Sequence, residues 1–323
     1  MRIVGWIVVV VALAVVLAWF FGPRVPIDTT VTFDAGQIPA DIDGWLAGRE
    51  AAVPAIKDEL KKEIVWVDPA SKAKTPLAIV YVHGFSASKA EVRPLPDKVA
   101  AALDANLFYT RLTGHGQDGA AMGAATVNAW INDFAEALAI GRRLGERVIV
   151  IATSSGGSVA SWAMTEPGLA DNVAGLVLIS PNYGVQGSGA FLLTMPFGGL
   201  IAELLIGKER SFEPVNEAHA RYWTHAYPTA ALLPMAGIVK LAVGAPVEQA
   251  KVPALFVFSD GDKVVRPDLT RAIAARWGAP HEIVAVTDST DPSDHVIAGD
   301  ALSPNTTDPL AAKIVAWVQA LQP

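Results

Sequence analysis

The sequence predicts a doubly wound α/β fold built on a mostly parallel sheet, with an inserted helical cap and a separate apolar helix at the N-terminus. Three observations carry this. Short apolar runs recur along the chain and are continuous instead of alternating, as in Leu77-Ala78-Ile79-Val80-Tyr81-Val82 and Val148-Ile149-Val150-Ile151, the pattern of strands covered on both faces. Segments of helical period lie between them, the clearest placing Val127, Trp130, Ile131, Phe134 and Leu138 on one face. Ala152-Thr153-Ser154-Ser155-Gly156-Gly157 then joins one such strand to an Ala-rich helical segment through a turn of small residues.

From the N-terminus, Ile3–Phe21 is an uninterrupted charge-free run of the length needed to cross a bilayer as a helix. It reads as a membrane segment or a signal sequence. A cleavable signal has a shorter apolar core and small residues at its processing site, whereas this run ends Ala18-Trp19-Phe20-Phe21-Gly22-Pro23. Residues 1–25 are therefore expected to be an uncleaved anchor, with secretion after cleavage as the alternative. Trp19 and the neighbouring phenylalanines would sit at headgroup level. Arg2 and the α-amino group precede the run, and Arg24, Asp28 and Asp34 follow it, a balance that slightly favours the soluble domain lying outside the cytoplasm. Residues 26–62 read as a connector with one helical stretch near 42–61, its charges on a solvated face.

Residues 63–323 hold the expected main domain. Strands are expected at residues 64–67, 77–82, 106–110, 147–152, 174–179, 253–258 and 281–286. Thr126 is placed to cap the helix that begins at Val127. The interval 181–251 breaks the alternation, with several helical stretches, no clear strand and many Leu, Met and aromatic residues, and is expected to be the inserted cap. Two readings of its apolar surface stand: a lid over a pocket for an apolar substrate group, or packing of the insertion onto the sheet.

Composition bounds the function. At 323 residues and 52% hydrophobic content the chain can build a large core without staples. The absence of cysteine excludes disulfides, thiolate metal sites and a cysteine nucleophile. A net charge of −7 without Lys/Arg clusters argues against a nucleic-acid partner.

Ligands of such sheets bind beyond the carboxyl ends of the strands, and every polar candidate here falls at one. Ser154 is the expected apex of the tight turn, because the residues two before and two after it are then Ala152 and Gly156; for Ser155 they would be the β-branched Thr153 and Gly157. An ordinary strand-to-helix connection with Ser154 as N-cap fits the same ten residues. A nucleophilic serine needs a base and an orienting acid. Asp262 follows the strand ending at Phe258, and His295 follows the last strand; the order serine, acid, histidine is the one this fold uses. Among six histidines, His83 and His115 lie beside glycines and are expected to brace loops, His219 and His225 lie in the insertion, and His281 begins a strand. Asp260, Asp262 and Asp294 also suit ordinary turns. The tetrahedral intermediate would need N–H donors, expected from Ser155 and from the Gly84-Phe85-Ser86 loop, chiefly Phe85.

Together these residues resemble the α/β-hydrolase superfamily, particularly its small bacterial carboxylesterase and monoacylglycerol-lipase-like branch. The resemblance spans about 64–320 and is carried by His83-Gly84-Phe85, Leu112-Thr113-Gly114-His115-Gly116, the elbow around Ser154, Asp262-Lys263-Val264-Val265 and Asp294-His295-Val296. It implies Ser154 as nucleophile, Asp262 as acid, His295 as general base, Phe85 and Ser155 as oxyanion donors, the insertion as lid, and no cofactor or metal. Ala152 stands where the family usually has glycine, and the N-terminal helix with its connector lies outside the shared domain. The expected function is hydrolysis of a small carboxylic ester with an apolar acyl group, contacted by Phe85, Met195, Leu200, Tyr222 and Trp223. Acyl transfer, attack on a thioester or amide, and an inactive membrane-tethered binding module are the alternatives. Dehalogenase and epoxide-hydrolase chemistry would need a carboxylate where Ser154 stands.

Overall fold

A computed structural model describes residues 2–321 of the chain. The Met1 amino group and the Arg2 side chain, on which the expected orientation draws, lie outside the described set. The helix α1 (Arg2–Phe21) leads into the connector, which carries α2 (Ile42–Ala51). The main domain then runs β1 (Glu63–Val65), β2 (Thr75–Val82), α3 (Leu95–Ala102), β3 (Asn106–Tyr109), α4 (Gly119–Gly123), α5 (Val127–Leu144), β4 (Gly145–Thr153), α6 (Ser154–Ala163) and β5 (Val173–Ile179). Between β5 and the next sheet strand lie α7 (Gly198–Ile206), β6 (Glu209–Ser211), α8 (Glu217–Tyr222), β7 (Ala226–Pro228) and α9 (Leu232–Gly244). The chain closes with β8 (Ala254–Phe258), α10 (Pro267–Arg276), β9 (His281–Ala285) and α11 (Pro304–Ala320).

Seven strands form one sheet in the order β1-β3-β2-β4-β5-β8-β9, and every pairing but β1 with β3 is parallel. Their side chains alternate between two layers, as the period of a strand requires. Ala78, Val80 and Val82 of β2 join the layer of Trp130, Phe134 and Leu138 from α5 and Trp162 from α6. Ile79 and Tyr81 join the opposite layer, with Val99 of α3 and Ile314 and Trp317 of α11. Burial on both faces is why these strands read as continuous apolar runs. Thr126 caps α5 as expected, its side chain accepting the Ala129 N–H at 3.1 Å.

The structure departs from three expectations. The connector helix ends at Ala51, and a separate turn of 3₁₀ helix covers Asp58–Leu60. Pro54 explains the break, because its ring clashes with the preceding turn and it offers no N–H. Nor is the face of α2 wholly solvated: Glu50 is buried and receives Arg111 in two hydrogen bonds of 2.8 and 2.9 Å. Interval 181–251 adds no strand to the main sheet, yet it holds a small antiparallel pair, β6 with β7, in register Arg210↔Tyr227. These strands are three residues long and β6 is exposed throughout, so no apolar run announces them.

The helix α1 contains a 19-residue stretch, Ile3–Phe21, of mean hydropathy 2.9, long and apolar enough to cross a membrane. Its far end meets the start of α7. The Phe197 N–H donates to the Pro23 carbonyl at 2.7 Å, and a Cβ on Gly22 would come within 2.6 Å of the Phe197 ring.

Candidate active site

The carboxyl ends of β2, β4 and β8 and the loop after β9 converge on one cavity of about 410 Å³. At the end of β4 the chain turns sharply into α6 with Ser154 at the apex, its φ at +50°, a left-handed conformation that costs a residue with a Cβ and needs surrounding structure to hold it. Gly156 shows why the turn demands small residues. A Cβ there would come within 2.5 Å of the His83 carbonyl oxygen and 2.6 Å of that of Val82. Thr153 occupies the cap position of α6 without a side-chain capping bond, so Ser154 is the first helical residue and its hydroxyl is free of capping duty.

That hydroxyl faces an imidazole. His295 Nε2 lies 3.1 Å from Ser154 Oγ, and His295 Nδ1 lies 2.8 Å from Asp262 Oδ2. The other carboxylate oxygen of Asp262 accepts the N–H groups of Val264 and Val265 at 2.8 and 2.9 Å, which locks its orientation. All three side chains are buried. Burial alone would lower the His295 imidazole, but the hydrogen bond and charge of Asp262, joined by the charges of Glu91 and Asp291, outweigh it and hold the ring above its ordinary value.

The competing aspartates fall away on position. Asp260 points to solvent in a bidentate pair with Arg271, and Asp294 receives Ser289 at 3.1 Å. Two other histidines brace loops. His83 Nδ1 donates to the Gly84 carbonyl at 2.8 Å and its Nε2 accepts the Leu112 N–H at 3.1 Å. His115 Nε2 accepts the Ser86 N–H at 3.1 Å. Burial drives both below the ordinary histidine range, His115 to about 4, and the two rings lie 4.8 Å apart.

Phe85 and Ser155 line the same cavity as Ser154. Ser155 sits in the first turn of α6, where N–H groups have no partner four residues earlier and the helix dipole favours negative charge. Gly84 brings the β2 loop close, since a Cβ at that position would come within 2.9 Å of the Ser154 Cβ.

Of the expected substrate contacts, Phe85 and Trp223 line the cavity, and Met195, Leu200 and Tyr222 do not. Leu200 is exposed on α7 and lines a separate cavity of about 340 Å³, and Tyr222 packs toward the α3–α11 layer. The apolar wall is made instead with Phe212, Tyr227 and Met235, the Tyr227 ring standing edge-on to Phe85 at 5.2 Å. Sequence reasoning also missed Glu91 and Asp291. One Asp291 oxygen accepts the N–H groups of His295 and Val296 at 3.0 and 2.8 Å, fixing the loop that presents the imidazole. Burial would raise the Asp291 carboxyl, but these bonds and those from Ser293 hold it below its usual range. An aspartate four residues before a candidate histidine is the signal that could have found it.

A family described as "Alpha/beta hydrolase family" matches residues 79–308. A curated relative, the thermostable monoacylglycerol lipase of Bacillus sp. (strain H-257), is 28% identical over 198 residues, which cover 59% of this chain and 73% of that protein. Among solved structures, one from the work on LipS and LipT, two metagenome-derived lipolytic enzymes, aligns with a TM-score of 0.67 at 20% identity, covering 82% of this chain and 99% of the other. A soluble variant of monoglyceride lipase from Saccharomyces cerevisiae, in complex with a substrate analogue, aligns at 0.61 with 10% identity, covering 81% and 92%. The structural likenesses establish the layout of strands and helices. With a family match across most of the sheet and the crossover order just described, the chain belongs to the α/β-hydrolase family.

Proposed function

We propose that this protein is a serine hydrolase that cleaves carboxylic esters through an acyl-enzyme at Ser154. The observation that carries the reading is the unbroken hydrogen-bonded line from Ser154 Oγ through the His295 ring to Asp262, at 3.1 and 2.8 Å. Support for lipase or esterase chemistry comes from the family and from the curated relative named a monoacylglycerol lipase.

In this mechanism Ser154 Oγ attacks the ester carbonyl while His295 Nε2 takes its proton. The bond to the leaving alcohol then breaks as His295 returns that proton to the alcohol oxygen. Water repeats the sequence on the acyl-enzyme, and the acid leaves. Asp262 keeps the proton of the neutral ring on Nδ1, so that Nε2 is the free base, and it stabilises the imidazolium formed in each half. The N–H groups of Phe85 and Ser155 take the developing oxyanion. The cavity wall of Phe85, Phe212, Trp223, Tyr227 and Met235 suits an apolar acyl chain or lipid monoester. The segment 181–251 acts as the lid, supplying most of that wall, and α1 holds the domain at a membrane whose lipids lie beside it.

Turnover of p-nitrophenyl esters tests the reading. Wild-type protein should hydrolyse them and Ser154→Ala should lose several orders of magnitude in kcat, keeping a residual rate from the oxyanion donors. Equal rates for the two proteins would dismiss Ser154.

A further inference from the structure

Behind the nucleophile lies a second carboxylate that this mechanism does not use. Glu91 is buried, and one of its oxygens accepts two hydrogen bonds, from the Gly84 N–H at 2.7 Å and from the Tyr81 hydroxyl at 3.0 Å. The Tyr81 hydroxyl in turn lies 3.2 Å from Thr153 Oγ1, on the residue just before the nucleophile. The other Glu91 oxygen approaches the α-carbon of Gly84: a Cβ there would meet it at 2.7 Å, and the Ser154 Cβ at 2.9 Å from another side. Glycine is required at position 84 because Glu91 and Ser154 both close on it. The carboxylate also lines the cavity beside Ser154 and His295.

We propose that Glu91 is a positioning residue of the site: it holds the Gly84–Phe85 turn that presents one oxyanion donor, and it sets a second negative charge against His295. The proposal rests on the acyl-enzyme reading. A buried carboxylate is costly unless its charge is answered. Two hydrogen bonds answer part of it, and the imidazolium that forms when Ser154 gives up its proton answers the rest, so the charge is better satisfied in the transition state than in the resting enzyme.

The groups facing Glu91 are the Tyr81 hydroxyl from β2, the Gly84 N–H and the His295 ring from the loop after β9. Asp262 and Asp291 act on the same ring. Burial pushes the Glu91 carboxyl up to about 7, opposed by the Gly84 bond, the His295 charge and the Tyr81 bond. Glu91 and His295 therefore titrate as a pair, and the acid limb of kcat/KM carries two ionisations. The sign follows from the charge: removing it lowers the His295 pKa, so the base stays neutral to lower pH.

The test is the pH dependence of kcat/KM for a p-nitrophenyl ester with full-length wild type, Glu91→Gln and Tyr81→Phe, alongside labelling by a fluorophosphonate. Glutamine keeps an acceptor for Gly84 and Tyr81 and removes the charge. Glu91→Gln should move the acid limb down by about one pH unit, reduce its steepness from two protons to one, and lower the plateau kcat about tenfold at a KM changed less than about twofold. Should Glu91→Gln fail to fold, Tyr81→Phe still decides. It removes one donor to the carboxylate and should move the Glu91-linked ionisation to higher pH. Superimposable limbs and plateaus in variants that still take the label would overturn the role of Glu91 and leave Ser154 standing. A wild type that hydrolyses no ester and takes no label would overturn both.

Discussion

His295 Nε2 stands 3.1 Å from Ser154 Oγ although 141 residues separate the two in the chain. The parallel strands bring the two within reach, because each crossover between them returns the chain in the same direction and delivers their carboxyl-end loops to one edge. Asp262 arrives on the same edge from the turn after β8 and holds the ring from behind.

Asp262→Asn tests that hold. The asparagine keeps the shape of the side chain and can still accept from Val264 and Val265, but it removes the charge and favours the wrong tautomer of His295. The expected outcome is a kcat/KM lower by about a thousandfold to ten-thousandfold, with a melting temperature close to wild type, read from ester hydrolysis and a thermal melt.

Acid should remove the stability contributed by two buried neutral histidines. The folded pKa of His83 and His115 lies below the unfolded value near 6.5, so the unfolded chain binds more protons between that value and the folded ones. The stability these two rings contribute is full above about pH 6.5 and is lost as pH falls toward 4, on the order of 3 kcal/mol for His115 alone. Urea titrations at pH 7.5 and about 5 measure it. The raised Glu91 carboxyl acts with the opposite sign over the same range, so the test compares wild type with His115→Gln, whose midpoint should fall less on acidification; an equal fall in the two proteins would contradict the assignment of His115 as buried and neutral.

Much of this was legible in the sequence, for physical reasons. Strands buried on both faces leave continuous apolar runs, and β2, β4, β5 and β8 were read from them within about two residues. The elbow was legible because steric crowding restricts its residue types, as Gly156 demonstrates. The lining of the cavity was not. Helix α7, Gly-Gly-Leu-Ile-Ala-Glu-Leu-Leu-Ile, is apolar almost all round, so its composition does not say which side faces inward, and Leu200, Leu204 and Leu205 prove to be exposed. Glu91 lies in a loop with no period to mark it, and its place beside Ser154 arises only when β2 and β4 pair.

Gly156→Ala should destabilise the fold. Its Cβ would strike two backbone oxygens, those of His83 and Val82, and neither can swing aside as a side chain could. A loss of about 1–3 kcal/mol is expected from chemical denaturation, together with reduced esterase activity as the elbow shifts.

The cavity wall predicts a chain-length preference. Across p-nitrophenyl esters from acetyl upward, kcat/KM should rise to an optimum at a medium-length acyl group, and Trp223→Ala should move that optimum toward longer chains by opening the wall. A steep preference for acetyl in wild type would contradict the pocket described.

The N-terminal helix makes a separate prediction. Full-length protein should fractionate with membranes and retain its N-terminal residues by mass spectrometry, whereas a chain lacking residues 1–25 should be recovered in the aqueous fraction with its esterase activity largely intact.

The proposed mechanism requires the Ser154 hydroxyl to be the activated nucleophile. Peptide mass mapping after reaction with a fluorophosphonate addresses it most directly: one adduct is expected, on Ser154, absent from Ser154→Ala and strongly slowed in His295→Ala. An adduct on Ser155 or elsewhere, or a folded wild type that remains unmodified, would contradict it.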